Sequence, residues 1–178
     1  MALFSPKKHF HSIYDITPEF LHTVGVRALV LDIDNTLVTY QTPRPTDKVV
    51  EWINLMRSHG VGVTIASNND RARVEEFCRG LDVFFTYKSG KPGSKCIKLS
   101  CKRWGILPRE VAVAGDQIFT DVLCANLGGA VSYLVDSLGG RENAFIKFKR
   151  LLEKPIIRSY KKHHPDEFSE DKNEAGKN

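Results

Sequence analysis

ALVLDIDNTL, residues Ala28 to Leu37, runs four apolar residues straight into two aspartates, Asp32 and Asp34, followed by Asn35, Thr36 and Leu37. An apolar run of that length, bounded by turn formers, reads as a central parallel strand. Ligands in open α/β sheets gather at the carboxyl ends of such strands, so the two carboxylates are expected on the rim where a substrate arrives. Bare carboxylates there need a cation or a chemical role. The competing reading, in which Asp32 and Asp34 cap a turn, is the better one for an isolated D-x-D. The remaining strand ends have to decide.

The chain has 178 residues, enough for one domain with a real core and too few for two substantial ones. A hydrophobic fraction of 42% and a charged fraction of 26% place it among globular α/β proteins. The net charge of +5 favours contact with phosphates on nucleic acid, an anionic membrane or a small substrate, without choosing between them. Cys78, Cys96, Cys101 and Cys124 form no C-x-x-C pair and read as reduced thiols, mostly in the core. No apolar run approaches the roughly 20 residues of a membrane span, and the N-terminus lacks the long apolar segment of a signal peptide. A cytoplasmic protein, free or peripheral on a membrane, is therefore expected.

Residues 1–27 form a basic and aromatic strap, with Lys7 and Lys8 before Phe10, Ile13 and Tyr14 and a short helix near Thr17-Pro18. Its aromatics either touch a lipid surface or pack onto the domain. The core domain is expected over residues 28–153. After the strand at Ala28, residues 46–59 read as an amphipathic helix ended by Gly60, 61–66 as a strand closing on Ser67, Asn68 and Asn69, and 70–79 as a helix. A short strand at 83–87 leads into the loop Lys88 to Gly93, then come a helix at 94–104, a strand at 111–115 ending in Asp116, a helix begun by Thr120-Asp121, and a strand at 130–135. This alternation is that of a parallel sheet with helical crossovers. A last helix is expected from about Glu142, and residues 154–178 read as a polar flexible tail too poor in apolar groups to repay its ordering.

Successive strand ends thus present Asp32/Asp34, Ser67/Asn68, Lys91 and Asp116/Asp121. Phosphoryl transfer needs a nucleophile, a divalent cation, fixed donors for the phosphoryl oxygens and a proton for the leaving group. Asp32 suits the nucleophile, since a carboxylate can form an acyl-phosphate that water later hydrolyses. Asp34, two residues on, leans the same way from an extended backbone and suits a general acid and base. Ser67 and Asn68 are candidate donors to phosphoryl oxygens, and Lys91 a candidate positive charge. Asp116 with Asp32 offers hard oxygen ligands for Mg²⁺, with Asp121 a second ligand or an outer anchor. Taken singly, Ser67, Asn69, Asp116 and Asp121 read better as helix caps and Lys91 as a solvated charge. Their order along one rim favours the chemical reading.

DIDNT at Asp32 to Thr36, Ser67-Asn68, Lys91-Pro92 and GDQ-x-x-TD at Gly115 to Asp121 resemble the four motifs of the haloacid dehalogenase (HAD) superfamily of phosphatases, subclass IIIA. The likeness covers most of the chain and leaves out the strap and the tail. It implies a Rossmann-like HAD fold of about five parallel strands flanked by helices, and assigns the roles above to Asp32, Asp34, Ser67, Lys91 and Asp116. It adds the Asp34 carbonyl as a further Mg²⁺ ligand and a turn-shaping role for Thr36. The segments between motifs leave room for about one loop and one helix each, so no cap domain is expected. Within the superfamily, DNTL with GDQ-x-x-TD is similar to the YqeG-type branch and to phosphatidylglycerophosphate phosphatases, although Ile33 stands where related lipid enzymes often carry a basic residue.

The resemblance implies a Mg²⁺-dependent phosphomonoester hydrolase, acting on a lipid phosphomonoester at a membrane surface. Two alternatives stand beside it: the same chemistry on a phosphoprotein, a nucleic-acid end or a soluble metabolite, and a catalytically silent phosphate-binding module. Nucleic acid is disfavoured, because no aromatic and basic strand face is present. The six histidines form no ligand pattern with the aspartates.

Overall fold

The apolar run at Ala28 is a strand buried on both faces, and the whole sheet is built outward from it. In the computed structural model, which describes residues 3–140 and 144–168, the strands are β1 (Lys8–Phe10), β2 (Ala28–Leu31), β3 (Gly62–Ala66), β4 (Phe84–Thr86), β5 (Val111–Gly115) and β6 (Val131–Val135). They form one sheet in the order β1-β6-β5-β2-β3-β4. Every pair in it is parallel. The helices are α1 (Pro18–Thr23), α2 (Asp47–Ser58), α3 (Arg71–Cys78), α4 (Lys95–Trp104), α5 (Leu123–Gly128) and α6 (Ala144–His163).

Because side chains alternate across a strand, β2 feeds two cores at once. Leu29 and Leu31 pack with Val49, Ile53 and Met56 of α2 on one face. Ala28 and Val30 pack with Cys96 and Ile97 of α4 and Cys124 of α5 on the other. Each fully buried Leu or Val contributes about 1.5–3 kcal/mol, so β2 is anchored from both faces of the sheet. Thr46 caps α2 by accepting the Val49 N–H, and Asp70 caps α3 by accepting the Arg73 N–H at 2.9 Å. All four cysteines are free thiols.

Two segments differ from the sequence expectation. The strap contributes a sixth strand, since Lys8–Phe10 pairs with Tyr133–Val135 of β6 at the sheet edge. Its aromatics turn inward: Phe10 lies edge-on to Phe20 and Tyr133, and Tyr14 to Trp52. The residues from 154 to 163 are not a tail but the second half of α6. Ile156 and Ile157 pack against Ile118, Val122 and Leu134, and that inner face holds the helix despite the charged outer one. Beyond it, the turn Pro165–Phe168 returns to the β1 edge. Glu167 accepts the His9 N–H at 2.9 Å and the Tyr160 hydroxyl at 2.7 Å, and Phe168 stacks on the His9 ring. His9 and His11 share the Asp136 carboxylate at 2.8 and 3.0 Å. The expected helix start at Glu142 and the tail residues 169–178 lie outside the described residues. No domain is inserted between β2 and β4.

Candidate active site

At the end of β2 the Asp32 N–H still bonds to the Ala114 carbonyl of β5, after which the chain wraps tightly. The N–H groups of Thr36, Leu37 and Val38 converge on the Ile33 carbonyl, and Asn35 takes a φ of 62°, a left-handed conformation that asparagine tolerates. Ile33 is thereby sunk in the core while Asp32 and Asp34 reach the rim. The buried position explains why an apolar residue stands between the two aspartates.

The end of β3 and the loop after β4 are tied together around Lys91. Asn68 Oδ1 accepts the Lys91 N–H and the Ser89 hydroxyl, each at 2.9 Å, and Asn68 Nδ2 donates to the Lys91 carbonyl at 2.8 Å. Asn68, expected to donate to a phosphoryl oxygen, therefore has its amide turned onto this loop. Ser67 Oγ accepts the Asn69 N–H at 3.1 Å, which leaves its hydroxyl proton for another partner in the cavity it lines. Lys91 precedes a cis peptide bond to Pro92, and its Nζ lies 2.7 Å from both Asp32 Oδ1 and Asp121 Oδ1.

The end of β5 supplies the remaining acids. A π-helical turn, Ile118–Val122, carries Asp121 back against Gly115, where a Cβ would collide with the Asp121 carboxylate. Asp121 Oδ2 accepts the Gln117 N–H and the Thr120 hydroxyl, so both of its oxygens are engaged. Asp116 Oδ1 faces the Thr36 hydroxyl, and its Oδ2 pairs with Arg150 of α6. One carboxylate oxygen each from Asp32, Asp116 and Asp121 lies within 4.8 Å of the others.

Burial pushes the Asp32 carboxyl up to about 7 against the pull of the Lys91 ammonium, with the Asp121 and Asp116 charges adding to the effect of burial. Asp116 is raised by burial too, opposed by Arg150. Burial works against the Lys91 ammonium, but the Asp121 and Asp32 carboxylates outweigh it and hold its pKa above the ordinary lysine value. Three buried carboxylates thus face two cations, Lys91 and Arg150. Three clustered hard oxygen donors whose charges repel one another fit a divalent cation such as Mg²⁺, which would offset that repulsion.

Asp34 is held from the side. Arg73 Nη2 donates to its Oδ1 at 2.8 Å and Asn69 Nδ2 to its Oδ2 at 2.6 Å, while Arg73 Nη1 binds the Pro43 carbonyl at 2.8 Å. Sequence reasoning missed Arg73 and Arg150. For Arg73 a signal existed: the first turn of α3 carries Arg71 and Arg73 and no acid, against the helix dipole, so one of them needed a partner. Replacing Arg73 with glutamine is expected to lower kcat by about 10–100-fold with a small change in KM, because Asp34 loses its orientation rather than the site its substrate contacts. Steady-state kinetics on purified enzyme check this; an unchanged kcat refutes the positioning role.

Asp32, Asp34, Ser67, Asn68, Asn69 and Lys91 line a cavity of about 210 Å³, together with Gln117 and Thr120, Tyr40 from the loop after β2, and Ile146 and Lys149 from α6. It contains an acidic nucleophile candidate beside a fixed ammonium, a hydroxyl donor and a second carboxylate, which is a set suited to phosphoester cleavage.

Comparison with known proteins agrees. Residues 1–137 match the family model described as mitochondrial PGP phosphatase. The chain is 35% identical over 159 residues to the probable phosphatase YqeG of Bacillus subtilis, covering 89% of this chain and 92% of that protein. It is 30% identical over 143 residues to the mitochondrial phosphatidylglycerophosphatase GEP4 of Saccharomyces cerevisiae, covering 72% of this chain and 77% of that protein. In fold it is similar to the cobalt-bound deoxy-D-mannose-octulosonate 8-phosphate phosphatase YrbI of Haemophilus influenzae, with a TM-score of 0.51 and 14% identity over 81% of this chain and 96% of that one. The chain belongs to the mitochondrial PGP phosphatase family and is a phosphatase with a HAD-like fold.

Proposed function

We propose that the protein is a Mg²⁺-dependent phosphomonoesterase of subclass IIIA that works through an aspartyl-phosphate on Asp32, with phosphatidylglycerophosphate as substrate. The observation that carries this reading is the Asp32 carboxylate, which lines the cavity, held 2.7 Å from a buried ammonium and clustered with the Asp116 and Asp121 carboxylates. The substrate class is supported by the family match and by the relative GEP4, named as a phosphatidylglycerophosphatase.

An Asp32 oxygen attacks phosphorus and the ester P–O bond breaks. Asp34, entering the step protonated, turns from Asn69 to the leaving-group oxygen and gives its proton to the departing alkoxide. A water then gives its proton to Asp34 and attacks the same phosphorus, so that the Asp32–phosphorus linkage breaks and inorganic phosphate leaves. Lys91 and the Ser67 hydroxyl hold phosphoryl oxygens throughout, and Asn68 and Asp121 fix Lys91 from its backbone and its ammonium. Asp32, Asp116 and the Asp34 carbonyl would hold Mg²⁺, with Asp121 as outer anchor, and the ion would supply positive charge against the phosphoryl oxygens.

No helix among the described residues is long and apolar enough to cross a membrane. We place the enzyme in the cytoplasm, meeting its substrate peripherally at the bilayer surface. Chelation with EDTA is expected to abolish turnover, and excess Mg²⁺ to restore it within about twofold; activity that survives exhaustive chelation overturns the metal dependence. The substrate reading is tested with phosphatidylglycerophosphate in vesicles against a phosphopeptide, a 5′-phosphorylated oligonucleotide and sugar phosphates. A soluble compound turned over orders of magnitude faster than the lipid refutes it.

A further inference from the structure

The outer face of α6 breaks the usual pattern for a surface helix. Its inner side serves the domain: Arg150, Ile157 and Tyr160 through the contacts described above, and Glu153 by accepting the Phe119 N–H at 3.0 Å. Its outer side should then be polar, yet Phe148, Leu151 and Leu152 are 57%, 57% and 46% exposed. Positions 148, 151, 152 and 155 recur at i, i+3, i+4 and i+7, so these side chains and Pro155 form one continuous stripe. Three adjacent large apolar groups in the open mark a contact surface rather than scattered exposure.

The charges beside the stripe say what it meets. At about 100° per residue, Lys147, Lys154 and Arg158 all fall on one flank of it, and all are exposed. Two copies of the stripe laid together would oppose like charges. An anionic lipid surface satisfies both halves, with the apolar stripe among the acyl chains and the basic flank among the phosphates. The surface also borders the catalytic cavity. Ile146 and Lys149, in the first turns of the same helix, line that cavity, and Tyr40, 54% exposed, lines it from the other side.

We propose that α6 is the membrane-docking element, inserting Phe148, Leu151 and Leu152 into an anionic leaflet and holding the catalytic domain at the headgroup layer. This deepens, and rests on, the lipid-phosphate reading given above. The test uses the full chain and vesicles that contain no substrate, so that docking is read independently of hydrolysis. Wild-type protein should sediment with phosphatidylcholine/phosphatidylglycerol vesicles at least tenfold more strongly than with phosphatidylcholine alone, and less so as salt rises. Phe148→Ser with Leu151→Ser and Leu152→Ser should lose that binding at least tenfold, with circular dichroism and hydrolysis of soluble p-nitrophenyl phosphate unchanged. Lys147→Glu with Lys154→Glu and Arg158→Glu should lose the preference for anionic vesicles. Unaltered vesicle binding by both variants, no binding by the wild type, or a wild-type dimer that the serine variant converts to monomer overturns the proposal. Detergent-solubilised phosphatidylglycerophosphate reads the substrate assignment apart from docking, since it needs no bilayer.

Discussion

Asp32→Asn is expected to abolish turnover, by roughly four to six orders of magnitude, while leaving the protein folded. An amide cannot form the acyl-phosphate, and its near-identical shape keeps the β2 end and the Lys91 pocket in place. The stability effect has a definite sign. Burial holds the folded-state carboxyl at about 7, above the ordinary value of about 3.9 for aspartate. The folded protein therefore binds this proton more tightly than the unfolded chain. The contribution to stability is complete below about pH 4 and is lost as pH rises through about 7. In EDTA, wild type should lose this stability over that window and the asparagine variant should not, measured by urea unfolding across pH. Turnover by Asp32→Asn within tenfold of wild type would eliminate Asp32 as nucleophile.

Lys91→Met should damage both folding and chemistry. The methionine fills the same slot without charge and leaves Asp32 and Asp121, with side chains 11% and 0% exposed, facing each other without their shared cation. Breaking a buried pair in this way costs roughly 3–5 kcal/mol, which lowers Tm by about 6–20 °C for a chain of this size. Turnover should fall by roughly two to three orders of magnitude with loss of the charge facing the phosphoryl oxygens. Adding Asp121→Asn removes one of the stranded charges, so the double variant should regain about half or more of the stability and none of the activity. Thermal melts and single-turnover assays on both variants separate the two effects; a Lys91→Met protein as stable as wild type would show that the carboxylates are neutralised by some other group.

The contrast between β3 or β5 and β1 shows what sequence reveals about this fold. Residues 62–66 and 111–115 are buried apolar runs between turn signals, a pattern local enough to read directly. Lys8–Phe10 is three residues long with a charged first position, and only its pairing with Tyr133–Val135 makes it a strand. The second half of α6 was misread for a related reason: Lys154, Arg158, Lys161 and Lys162 dominate the composition, whereas Ile156, Ile157 and Tyr160 do the packing. In the site, Asp32, Ser67, Lys91 and Asp116 are legible because each directly follows a strand or its loop. Arg73 and Arg150 come from helices 39 and 34 positions away from Asp34 and Asp116, and only the tertiary packing of those helices brings them in.

The turn at Pro165–Phe168 has a consequence for the protein in crowded solution. An open parallel sheet has two edges, and an uncovered edge is a template on which another chain can add a strand and start aggregation. On the β1 side, the outward His9 N–H is already taken by the Glu167 carboxylate and the strand is roofed by Phe168. On the β4 side only Phe84–Thr86 is available, too short a platform for stable addition. The protein is thus guarded at both sheet edges against polymerising through its own sheet, however crowded its surroundings.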